Sequence, residues 1–198
     1  MAKSKQHQTY KYIKNKSILI DSRPEVVLDR KVEYLLLKFF VVNTPCETTS
    51  RRAISLKEYG WKENYNSIYG LQKRLDAIID FNSGNYIFTD EDDLLDRFEE
   101  NKLMDNMLDD IITERFVIGK TLESNKLLKL LRHIRNCFAH GKYIVVENSI
   151  NQNVIIMQDD NTYNVTARIV IKVDTLVGLI KIIDRNNTIG WEEVLQDL

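Results

Sequence analysis

Only two cysteines, two prolines, seven glycines and three histidines occur among the 198 residues. Cys46 and Cys137 are too few for a disulfide framework, and Cys137 falls inside a helical pattern. Reduced thiols in a cytosol are the simpler reading. Little proline and glycine leaves no low-complexity linker, and no internal repeat divides the chain. No apolar run reaches the roughly 18 residues of a membrane-spanning helix. Met1 to Lys16 is polar and lysine-rich, without the apolar centre of a signal peptide. A cytoplasmic protein is expected, with no membrane partner. It comprises a basic tail or extension at 1–20 and a single domain at 21–198.

Several chemistries are missing too. His133, Cys137 and His140 are spaced i, i+4 and i+7, but no second cysteine or histidine cluster exists to complete a zinc site. Asp90 to Asp93 lack the glycine and spacing of a calcium loop. Gly119-Lys120-Thr121 would need a glycine where Glu114 stands to form a phosphate-binding loop. No serine-centred nucleophile motif is present. Neither metal nor cofactor is expected.

What is there is ordinary in bulk and uneven in detail. Hydrophobic residues make up 43%, charged residues 29%, and the net charge is −1. Acids crowd Asp90 to Glu114, opposed there only by Arg97 and Lys102. Bases dominate Lys120 to Lys142, with Glu123 the lone acid, and the tail adds Lys3, Lys5, Lys11, Lys14 and Lys16. A local basic face can hold a phosphate backbone on a neutral chain. The two segments could equally neutralise each other across a bundle or dimer.

Helical spacing predicts a helix from Ser22-Arg23-Pro24 to Asn43, then another over Lys62–Phe81. A third, acid-rich at its start, is expected from Thr89 to about Thr113. The next opens at Thr121–Ser124, carries Leu127, Leu131, Ile134 and Phe138 on one stripe, and stops at Gly141. Three short β-rich runs follow, at Tyr143–Glu147, Val154–Gln158 and Ala167–Val173, and read as an antiparallel meander. A last helix is capped by Asp174-Thr175. The expected fold class is mainly α, a helical bundle with a small meander at about 143–173 and a C-terminal helix (α+β by count).

The chemistry concentrates in Arg132-His133-Ile134-Arg135-Asn136-Cys137-Phe138-Ala139-His140-Gly141. Arg135 is always cationic, and His140 can exchange a proton near neutrality. Phosphodiester cleavage needs that combination, charge neutralisation at phosphorus plus proton transfer. The plain structural alternative is that Arg135 pairs with an acid of the Asp90–Glu114 segment while His140 merely caps its helix.

Arg135-Asn136-x-x-x-His140 resembles the R-N-x-x-x-H signature of the HEPN superfamily, with the Phe-Ala-His-Gly ending of its abortive-infection and toxin-like branches. The resemblance covers about ten residues. It implies a HEPN-like helical bundle that forms a homodimer with two motif helices facing each other. It also implies a metal-independent endoribonuclease of a toxin or phage-defence system, with RNA as substrate and an antitoxin or defence protein as further partner. His140 would then be the general acid/base, Arg135 would stabilise the phosphorane, and Asn136 would orient phosphate or histidine. Products would be a 2′,3′-cyclic phosphate and a 5′-hydroxyl. Lys129, Arg132, His133, Lys142 and Tyr143 are the candidate RNA contacts around this centre. An inactive module of the same superfamily, binding RNA or a partner protein, is the alternative.

Overall fold

The computed structural model describes residues 25–46, 52–62, 65–104, 111–119, 125–161 and 164–196. The proposed Ser22 helix start, the Thr121–Ser124 opening and the basic tail lie outside them.

Asp29 caps α1 (Arg30–Leu37), its carboxylate accepting from the amides of Lys31 at 2.7 Å and Val32 at 3.4 Å. The chain then widens into a π-helical segment, Lys38–Val42, which places both Phe39 and Phe40 in the core. Helix α2 (Tyr65–Leu75) is shorter than the sequence pattern suggests, and turns fill the rest to Phe81.

The expected mainly-α bundle is overturned by a five-stranded mixed sheet in the order β1-β2-β5-β4-β3. Its strands are β1 (Tyr86–Thr89), β2 (Arg115–Gly119), β3 (Tyr143–Glu147), β4 (Asn153–Asp160) and β5 (Val165–Lys172). The meander β3-β4-β5 is antiparallel as expected, but β2 pairs with β5 and β1 adds to β2 in parallel. The molecule is an α+β fold organised around a sheet.

The acid-rich helix is corrected as well. Thr89 ends a strand, and α3 begins at Leu94 after one 3-10 turn and stops at Glu100. The stop is local. The Asn101 side-chain Nδ2 donates back to Arg97 O at 2.9 Å, and Lys102 takes the left-handed conformation at φ 53°.

Alternation along the strands sorts their side chains onto two faces. Val145, Ile155, Met157, Ala167, Ile169 and Ile171 join the core formed by α1, the π-helical segment, α2, α4 (Lys126–Ala139) and α5 (Val173–Ile183). Ile144, Val146, Val154, Ile156 and Val170 face the other way, against Leu94 and Phe98 of α3. A short helix, α6 (Trp191–Leu195), lies beyond α5.

Candidate functional site

Helix α4 is fixed at both ends by its own sequence. Asn125 caps the start, its Oδ1 accepting from the Leu127 amide at 2.9 Å and the Leu128 amide at 3.1 Å. At the other end Gly141 has φ 63°, with the amide of Gly141 bonding Phe138 O and that of Lys142 bonding Cys137 O. This is a Schellman ending, and it leaves His140 exposed at the last turn.

At 100° per residue, Lys129, His133, Asn136 and His140 share one stripe of α4. That stripe meets β4 where the strand leaves its apolar run. Asp159 occupies the same alternation as Ile155 and Met157, so its carboxylate points at the helix. The ladder shifts register between Asp159 and Asp160, the kind of irregularity that re-aims side chains beside a site.

A continuous polar network results. His133 Nδ1 lies 2.7 Å from Asp159 Oδ2, and Asn136 Nδ2 donates to the same oxygen at 3.1 Å. Asn136 Oδ1 in turn accepts from Arg135 Nη1 at 3.2 Å. The Asn136 amide is thereby oriented by both its ends. It draws the guanidinium from its own side of the helix toward the stripe that carries His140. Residues four apart on a helix are surface neighbours, so Asn136 and His140 follow one another along the same stripe of α4.

Among the described residues, Arg135 has no carboxylate partner, and no side-chain hydrogen bond ties up His140. The described acids of Asp90 to Glu100 pack with α3 on the opposite face of the sheet from α4. Neutralisation of Arg135 by that segment is therefore ruled out for those residues. His140 does occupy the C-cap position, but through its backbone amide alone, which bonds Asn136 O.

The secondary candidates divide. Lys129 is 0% and His133 4% exposed, so neither side chain is presented at the surface. Lys142 is paired with Asp160, and Arg132 is half-buried. Tyr143 is half-buried against Phe138 with ring centroids 4.8 Å apart. Burial, followed by the nearby Glu33 and Glu25 carboxylates, raises its phenol pKa and keeps it a neutral donor. Cys137 is enclosed in the core, and desolvation pushes its thiol well above the ordinary value, which suits packing rather than nucleophilic chemistry.

Sequence reasoning missed Asp159. It lies in Asp159-Asp160-Asn161, which reads locally as a turn, and only the strand register places it under the motif helix. No group of three or more histidine, cysteine or acidic residues that could hold a metal ion occurs among the described residues. Nor is any described helix long and apolar enough to cross a membrane. Comparison of the chain with family models, curated proteins and solved structures finds no match to any of them.

Proposed function

We propose that this protein is a metal-independent endoribonuclease in which His140 transfers protons and Arg135 stabilises charge on the phosphorus. The observation that carries the reading is the state of Arg135. Its guanidinium is held by the amide of Asn136 and has no acid on it among the described residues, on the helix whose last turn exposes the His140 imidazole.

RNA supplies its own nucleophile, so the protein need only position the strand, move protons and neutralise developing charge. The 2′-oxygen attacks phosphorus as its proton leaves to a base. The 5′-oxygen departs as it gains a proton, leaving a 2′,3′-cyclic phosphate and a 5′-hydroxyl. Among the described residues one exposed imidazole per chain, that of His140, serves one of these transfers at a time. A homodimer that brings two α4 C-termini to a two-fold axis would supply both. The local match to the R-N-x-x-x-H signature supports the same assignment and its setting in toxin or phage-defence systems, although the motif helix here is seated on a sheet.

The test is cleavage of total RNA by wild type and His140→Ala, both verified as folded, with product ends identified by mass spectrometry. The expected result is metal-independent cleavage with cyclic phosphate ends, reduced about 10²- to 10⁴-fold in the variant. Equal activity, or none in either protein, would overturn the assignment. Binding of RNA by an inactive wild type would favour a non-catalytic RNA-binding module.

A further inference from the structure

His133 is a buried histidine with only one ring nitrogen engaged. Its Nδ1 meets Asp159, while Nε2 is buried without a hydrogen-bond partner among the described residues. A carboxylate only accepts, so Nδ1 carries the proton. Among the described residues Nε2 makes no hydrogen bond that would account for a histidine here. What histidine alone supplies at this place is the donor toward Asp159.

The need for that donor follows from the neighbours. Asp159 is a buried carboxylate one amide group away from Arg135, with Asn136 standing between the two. A buried carboxylate short of donors seeks a cation, and a guanidinium fork is the best match in geometry. Direct pairing would neutralise the charge that the phosphate requires. We infer that His133 is a positioning residue that keeps Asp159 occupied, so that the carboxylate orients Asn136 instead of capturing Arg135.

The inference rests on the ribonuclease reading only for its activity readout. It has a second readout that needs no RNA, the modification of Arg135 by phenylglyoxal, mapped by mass spectrometry. Three variants are compared with wild type: His133→Phe, Asp159→Asn and the double variant. In His133→Phe, Asp159 is freed to pair with Arg135, so Arg135 should be protected from phenylglyoxal. Cleavage should fall about tenfold or more through kcat, with KM little changed.

Asp159→Asn keeps an oxygen acceptor for Asn136 but cannot form an ion pair. Placed in the His133→Phe background, it should restore both Arg135 reactivity and cleavage to within a few-fold of wild type. A histidine that served packing alone would give the opposite order, the double variant being worse than the single one. Capture of the freed carboxylate by Lys129 or Lys142 would leave Arg135 reactive in His133→Phe. Either result overturns the inference. Absence of cleavage in wild type would overturn the function and leave the phenylglyoxal comparison to decide the role of His133.

Discussion

The rings of Phe40 and Phe138 stack with centroids 5.8 Å apart and planes 19° from parallel. This contact joins the π-helical segment to the last turn of the motif helix, three residues before Gly141. The widened turn carries both Phe39 and Phe40, and both are fully buried. Phe138 also meets Tyr143 of β3, which places one aromatic ring under both flanks of the His140 turn.

Phe40→Ala should therefore act on stability and site together. Removal of a fully buried phenylalanine costs about 3–5 kcal/mol. In urea denaturation the midpoint should fall with little change in slope. Hydrogen exchange at 137–143 should accelerate before that of β4. A loss under about 1 kcal/mol would mean that the stack contributes little beyond shape.

Gly141 offers a subtler lever. A Cβ added there meets nothing within 4 Å, so any penalty of substitution arises from its φ of 63°. Gly141→Ala should cost about 1 kcal/mol and Gly141→Asn less, because asparagine tolerates the left-handed region. Thermal unfolding measures the cost. If the Schellman turn is what presents His140, cleavage should fall in the alanine variant by more than its stability loss explains. Equal stability of glycine and alanine would show that this ending relaxes without cost.

The motif helix was legible because its signals are local: an apolar stripe, a polar stripe and a terminal glycine. The strands β3, β4 and β5 were legible for the same reason, and so was α5. The sheet as a whole was not. Strand β1 is four residues long and β2 five, and their parallel pairing joins segments far apart in sequence. One clue was present in Val154–Met157 and Ile169–Ile171, apolar runs with little alternation, which mark strands covered on both faces. Helices were needed on each side of such a sheet, and a bundle with an appended meander could not provide them. Within the candidate site, Arg135, Asn136 and His140 stand together in the sequence because they share one helical segment. Asp159 depends on register and was not.

Acid pH should reveal a local staple. The Ser55 amide and hydroxyl both donate to Glu58 Oε2, at 2.8 and 2.9 Å, and hold the Glu58 carboxyl below its ordinary value. A depressed folded pKa means that the contribution is complete above the ordinary glutamate value near 4.5 and is lost as pH falls through the lower folded value. Glu58→Gln should flatten this part of the profile of melting temperature against pH. The group is fully exposed, so the difference should be small and confined to that window. A parallel profile for both proteins would contradict the assignment.

Arg168 tests whether the two faces of the sheet act separately. It is 0% exposed, lies opposite Gln158 in the ladder, and points away from α4. Its Nη1 donates to Leu103 O at 2.6 Å, its Nε to Gln158 Oε1 at 3.2 Å, and its guanidinium sits 5.1 Å above the Phe98 ring. These contacts fasten the end of α3 and the following turn to β5. Arg168→Met keeps much of the volume but strips donors from a buried carbonyl and a buried amide, at a cost of about 2–4 kcal/mol. Arg168→Lys should recover only part, since an ammonium cannot reproduce the fork or the planar contact with Phe98. Urea denaturation gives the stabilities, and hydrogen exchange at residues 94–104 should show where protection is lost first. RNA cleavage per folded molecule should stay near wild type, because the His133–Asp159–Asn136–Arg135 network lies across the sheet. A matching fall in cleavage, at temperatures where the variant is fully folded, would show that the sheet couples its two faces.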